Sequence, residues 1–486
     1  MSWERSEPHL RSSLATAVGA LFLLGCGGKA GVEPPPRPVR LSFVTQPGMA
    51  EAQAALMPAI RVAIEDASGS AVQSATAEVT IRLAANPTGA TLTGTTTVRA
   101  LGGIATFTDL SLERPGDGFI FQAQSTGLPP ATSAEFSVRL PFVQASAGGA
   151  HSCGVTVAGF AYCWGAAGQV GDGTAVRRLN PTPVVGKLTF AQLSAGIDHT
   201  CAVTTNNAAY CWGANGQGQL GDGTTDGRQS PTRVAGSASF TQVSAGVLHT
   251  CGVTGLRTAY CWGDSRFGKL GDGTGIGWAQ PALVAGGLAF VQVSAGDNHS
   301  CGVTADQKAY CWGDNVYGQL GDGTQQSRSV PTLVTGNVSF IHVSASWAHT
   351  CGISADQRVY CWGSGGSGRL GDGTNLQRLS PTQAAGALRY DAVSTGPAHT
   401  CALALDDAAY CWGSNAKGEL GDGSTGEWNV PTPVQGGLRF LQVSAGNEHS
   451  CGVTTNNAIY CWGRNLFGEL GDGTTTDRLT PTRVAP

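Results

Sequence analysis

His199-Thr200-Cys201-Ala202-Val203-Thr204-Thr205-Asn206-Asn207-Ala208-Ala209-Tyr210-Cys211-Trp212-Gly213 is one of seven copies of a signature that recurs between His151 and Trp462. The leading cysteines fall at 201, 251, 301, 351, 401 and 451, a period of fifty residues, and the first copy, led by Cys153, is two residues shorter. Such periodicity describes an architecture of stacked units. Within the copy, two short β-rich runs around Val203 and Tyr210 flank a polar turn with Asn206 and Asn207 near its tip. Cys201 and Cys211 are each five residues from Asn206, so a hairpin centred there sets them opposite one another at disulfide reach. The signature reads as scaffold, because catalysis needs unlike groups converging at one point and a motif repeated around an assembly does not converge.

The fifteen cysteines divide accordingly into seven hairpin pairs and one remainder, Cys26. The pairs are Cys153 with Cys163, Cys201 with Cys211, Cys251 with Cys261, Cys301 with Cys311, Cys351 with Cys361, Cys401 with Cys411, and Cys451 with Cys461. A bridge closing so short a loop contributes about 2 to 3 kcal/mol and persists outside the reducing cytosol. The competing reading is a two-thiolate metal site with His199 or its counterparts as a further ligand. It needs more donors than each copy offers. The alternative for His199 is a structural imidazole held by hydrogen bonds within its own sheet.

Residues 1–25 have the form of an export signal: Arg5 and Arg11 precede an apolar run from Leu14 to Leu24. The run ends Leu23-Leu24-Gly25-Cys26, which resembles the bacterial lipoprotein signal. That resemblance implies cleavage before Cys26, acylation of its thiol and, with Gly27 rather than aspartate next, an outer-membrane address. An ordinary secretory signal with a chance cysteine is the alternative. Residues 26–38, with Pro34-Pro35-Pro36, read as a linker. No other stretch is long and apolar enough to cross a membrane.

Residues 39–140 carry no cysteine and no copy of the signature, and form a separate domain. Ile60, Val62 and Ile64 alternate with Arg61, Ala63 and Glu65, and Val79, Ile81 and Leu83 alternate likewise. About seven short strands predict a β-sandwich. Phe43-Val44-Thr45-Gln46-Pro47 and Gly103-Ile104-Ala105-Thr106-Phe107 resemble bacterial immunoglobulin-like domains. The resemblance implies a spacer or adhesive module.

Over residues 141–486 each full repeat runs from Ser194-Ala195-Gly196 through the hairpin to Gly218-Gln219-Leu220-Gly221-Asp222-Gly223-Thr224. This resembles the repeat of the regulator of chromosome condensation family and implies a seven-bladed β-propeller. Copy number and period point the same way, since radial four-stranded sheets close at about four to eight blades. The whole chain is therefore expected to be all-β, a propeller preceded by an immunoglobulin-like sandwich. The founding member promotes nucleotide exchange on a nuclear GTPase through an inserted wedge. The fifty-residue spacing leaves no room for one, and 29 basic against 33 acidic side chains give no nucleic-acid footprint.

No cofactor or metal is expected. The Gly221 to Thr224 segment offers one carboxylate, Asp222, too few for calcium and suited to a turn. The function expected is binding of a protein or polysaccharide partner at the cell envelope, with the membrane engaged through the lipid alone. The face is set by hairpin geometry: the two residues before each His and the four after each Cys-Trp-Gly share one side of the disk. There the copies diverge and carry Leu248, Arg266, Phe267, Tyr317, Trp347, Lys417, Leu466 and Phe467. The alternative is a hydrolase or lyase at the propeller mouth, using Asp198, Asp297, Asn298 or Glu448.

Overall fold

The computed structural model describes residues 35–485. The export signal, Cys26 and most of the linker lie outside the described residues. Among the described residues, the chain from Phe142 onward builds seven four-stranded antiparallel sheets, each from one continuous stretch. The first uses Phe142–Ala147, His151–Thr156, Ala161–Gly165 and Arg178–Pro183. The last uses Phe440–Ala445, His449–Thr454, Ile459–Gly463 and Arg478–Arg483.

The sequence explains the order within a sheet. The second strand, such as His199–Thr204, is buried at every position because both of its faces are covered by neighbouring sheets, so it shows no polar alternation. The fourth strand, Arg228–Arg233, is half-exposed and contains Pro231, tolerable on an edge where no ladder donor is needed. The hairpin register is as the spacing predicts: Cys201 faces Cys211, with Cα atoms 4.1 Å apart. Disulfides close all seven hairpins among the described residues. Asn207 turns the hairpin with φ 63°, a left-handed conformation that asparagine accepts at little cost.

Neighbouring sheets are cemented by residues that every copy keeps. Trp212 is fully buried and its Nε1–H donates to the Gln169 carbonyl of the preceding sheet at 3.0 Å. Burying an indole contributes about 5 kcal/mol. The close approach explains a glycine: Gly221 sits at φ 69°, and a Cβ there would meet Trp262 Nε1 at 2.6 Å.

The histidines correct the sequence reading. They are not held within their own sheets; each reaches across to the next. His151 Nε2 meets Thr200 Oγ1 at 2.7 Å, His199 meets Thr250 at 2.8 Å, and the series continues until His449 meets Ser152 at 2.8 Å. Each hydroxyl gives its one proton to a carbonyl, as Thr250 does to Gln219 at 2.8 Å. Nε2 must therefore be the donor, which fixes the tautomer. Nε2 is spent in this bond, and Nδ1 of six of the seven makes no hydrogen bond among the described residues.

The seventh sheet meets the first through the same bonds: Trp164 Nε1 to the Glu469 carbonyl at 2.9 Å and the Ala147 N–H to Ser444 Oγ at 3.0 Å. Among the described residues no strand is exchanged, since each sheet is contiguous in sequence.

Before Phe142, the strands Arg40–Thr45, Ile60–Glu65 and Ile104–Phe107 form one sheet. A second contains Gly116–Gln124 between Glu78–Ala85 and Phe136–Arg139. Val62, Phe107, Phe119, Phe121 and Val138 fill the space between them. This region abuts the hairpin-turn side of the ring. Gln53 Nε2 donates to Tyr162 Oη at 2.7 Å, and the turn residue Ala158 donates its N–H to Glu51 Oε1 at 3.0 Å. Among the described residues, no hydrogen bond joins the N-terminal sheets to the opposite side of the ring.

Candidate binding face

That opposite side is where the divergent residues lie. The two segments that sequence geometry places together do run side by side: the Ala214 N–H donates to the Asp198 carbonyl at 2.8 Å, and Asp264 to Leu248 at 2.9 Å. The residue before each Leu-Gly, or before Val170-Gly171 in the first copy, is Gln219 in the second; it tucks beneath these loops and is buried in all seven copies.

The eight candidates do not behave alike. Phe267 and Leu466 are 53% and 54% exposed, and Tyr317 and Trp347 are 38% and 42% exposed. Arg266 and Lys417 are exposed, whereas Leu248 and Phe467 are half-buried. Arg266 pairs with Asp264 at 2.9 Å, and Phe467 lies under Arg464, whose Cζ is 5.3 Å from the ring centroid. Phe267 holds φ 63°, costly for a bulky residue. Tyr317 and Trp347, from adjacent sheets, come together with ring centroids 5.9 Å apart. Beside them lies Arg369, with Cζ 5.5 Å from the Trp347 centroid.

Arg369 escaped the sequence reading because it lies beyond the four residues after Cys-Trp-Gly. A signal was present: its position reads Gln169, Gln219, Lys269, Gln319, Arg369, Glu419 and Glu469, a polar slot that changes charge around the ring. Lys269, fully buried, pairs with Asp264 at 2.7 Å.

The residues considered for acid-base chemistry are held in the second, fourth and seventh sheets. Asp198 accepts from Gln169 Nε2 at 2.9 Å, Asn298 Oδ1 from Lys269 at 3.2 Å, and Glu448 pairs with Arg464 at 2.6 Å. Asp297 lines the channel mouth, and burial pushes its carboxyl up to about 6. The channel itself is narrow, about 160 Å³, and lined by the Ser-Ala-Gly segments of the inner strands.

Asp222 is a turn residue, as expected. Its Oδ1 accepts the Thr224 N–H and hydroxyl at 2.9 and 2.7 Å, and its Oδ2 pairs with Arg228 at 2.8 Å. Where tryptophan replaces the arginine, the indole takes the same oxygen: Trp278 Nε1 is 2.8 Å from Asp272 Oδ2. Among the described residues no cluster of three His, Cys, Asp or Glu side chains is arranged to hold a metal, and no helix is long and apolar enough to cross a membrane.

Radial four-stranded sheets around a narrow channel, with a divergent loop face, define a β-propeller built from sequence repeats. The sequence profile of the RCC1-like domain matches residues 93–391, beginning within the N-terminal sheets, and the regulator of chromosome condensation (RCC1) repeat matches 406–453 and 456–486. The chain belongs to the RCC1-like repeat family.

Solved structures agree on the fold. Human WBSCR16 is similar with a TM-score of 0.59 at 22% identity, over 65% of this chain and 87% of that one. Yeast RCC1 (Prp20), solved bound to Kap60, is similar with a TM-score of 0.60 at 20% identity, over 67% of this chain and 83% of that one. No curated protein sequence matches this one.

Proposed function

We propose that this chain is an exported, envelope-anchored binding protein whose seven sheets are the blades of a closed propeller. In this reading residues 39–140 form an immunoglobulin-like stalk behind a lipidated Cys26. The observation that carries the binding role is the contrast between the two sides of the ring. One is occupied by the N-terminal sheets at Tyr162 and Ala158, and the other presents Phe267, Tyr317, Trp347 and Leu466 to solvent. Exposed aromatics on loops of a rigid scaffold are characteristic of recognition sites. The disulfides support a compartment outside the reducing cytosol.

A protein partner is the better-supported occupant, since yeast RCC1 (Prp20) was solved bound to Kap60. An enzyme with its site at the channel mouth is the second reading, favoured by Asp297 alone. It still needs a second acid-base group beside that carboxyl.

The test is capture from envelope extract with the full chain. Replacing Phe267, Tyr317, Trp347 and Phe467 together by alanine should abolish capture while all seven disulfides still form. Undiminished capture by the folded variant would move the site to the turn side or to the stalk. In the same extract, Cys26→Ser should leave the chain unacylated and free of membranes.

A further inference from the structure

The polar slot beneath the loops contains one permanent charge, Arg369, that forms no ion pair among the described residues. Of its charged occupants, Lys269 has Asp264 at 2.7 Å and Glu469 has Arg464 at 3.7 Å. Glu419 takes the Lys417 N–H on Oε2 at 2.7 Å, and burial pushes its carboxyl up, in the direction of the neutral form. A guanidinium has no such option. Arg369 is only 7% exposed, and its donors go to neutral carbonyls: Nε to Gly366 at 2.8 Å and Nη1 to Pro397 at 2.7 Å. Glu427, whose field it feels, stands beyond the 4.0 Å of an ion pair. Nη2 makes no hydrogen bond among the described residues and is not sealed from solvent. An unpaired buried cation is expensive to keep, and here it lies beside the two rings that the loop face offers to solvent.

We propose that Arg369, Trp347 and Tyr317 form an anchoring notch for an acidic segment of a partner protein. A carboxylate takes the free edge of the guanidinium, and the apolar side chain next to it lies against the two rings. The rings are tilted 48° to one another, which makes an angled notch for a side chain rather than the flat shelf on which a sugar ring stacks. This deepens the proposed function and rests on its choice of face.

The probe is a fluorescent peptide of about twelve residues alternating Glu and Leu. Its controls are the same peptide with Gln for Glu, and oligogalacturonate as an acidic sugar. Anisotropy with the full chain should show the Glu peptide binding at least about tenfold more tightly than the Gln peptide. Arg369→Gln should remove that preference without harming the fold, because Gln169, Gln219 and Gln319 fill the same slot in sister copies. Glu427→Gln should leave binding unchanged or strengthen it, as a competing carboxylate is lost.

Equal binding of the two peptides, an unaffected Arg369→Gln variant, or weakening by Glu427→Gln would each overturn the proposal. So would oligogalacturonate binding through Arg369 in place of the peptide. If envelope capture is lost in the quadruple alanine variant yet kept by Arg369→Gln, the face stands and the acidic partner falls.

Discussion

Among the described residues, five of the seven sheet interfaces are tied at their inner edge by a glutamine, and the two flanking the sixth sheet are not. Gln292 shows the tie: its Nε2 donates to the Val343 carbonyl at 2.7 Å and its Oε1 accepts the Val343 N–H at 3.0 Å. Gln144, Gln192 and Gln242 repeat this, and Gln442 makes the N–H half of it to Ala145. His342 and Ala392 stand in the remaining two positions. A second layer fails at the same places. The residue that follows the channel-lining Ser-Ala-Gly segment donates its N–H across the interface in five cases, as Asp297 does to the Ser346 carbonyl at 3.1 Å. Trp347 makes no such bond to Gly396, and Pro397 has no N–H to give.

The outer layers are unchanged there: His349 still reaches Thr400 at 3.0 Å, and Trp412 the Arg369 carbonyl at 3.0 Å. Cohesion of the ring is thus set by tryptophan and histidine, and the inner edge is where individual interfaces are loosened or tightened. In repeat proteins such nearest-neighbour terms add nearly independently.

Acid should expose the difference most strongly. Burial pushes His151 and His399 down to about 4, and His199, His299 and His449 to about 3, against an ordinary 6.5. The unfolded chain therefore binds more protons than the folded ring below pH 6.5, so stability is full above that pH and falls as pH drops towards 4. Each histidine withdraws about 3 kcal/mol by pH 4. Unfolding should set in above pH 4, followed by circular dichroism, with exchange of amide hydrogens rising first beside the sixth sheet. A melting temperature unchanged between pH 7 and pH 4 would contradict the neutral, buried relay.

Gln292→Ala should cost about 2 to 4 kcal/mol, because both backbone groups of Val343 lose their partner inside the ring. Guanidinium unfolding would measure it. His342→Ala should cost less, and an equal cost would erase the distinction between the two kinds of interface. The smallest effect is a gain: Ala392→Gln should supply the missing tie to Val443, stabilise the chain by about 1 kcal/mol, and slow exchange of the Val443 amide about tenfold. If that amide is unaffected, the tie does not form there.

The hairpins and their bridges were legible because a turn centred on Asn206 is a local event, and spacing alone fixes what faces what. The histidine relay was not, since His199 meets Thr250, one full period away. Its trace was the hydroxyl residue that follows the histidine in every copy, Thr200 or Ser300 among them. The candidate face was only partly legible. Divergence located Tyr317 and Trp347, but pairing of Phe467 with Arg464 and the burial of Arg369 depend on how loops settle over the slot beneath. Loop conformation is the least local part of such a fold.

The relay of imidazole to hydroxyl runs in one rotational sense, each sheet giving to its successor and receiving from its predecessor. The two flanks of a sheet are consequently unlike and complementary, a head-to-tail association that ends only because the rotation completes a circle. A chain cut short by one repeat would carry an unsated giving flank and an unsated receiving flank. Closure spends the giving flank of the seventh sheet on the receiving flank of the first, and leaves neither to a second copy.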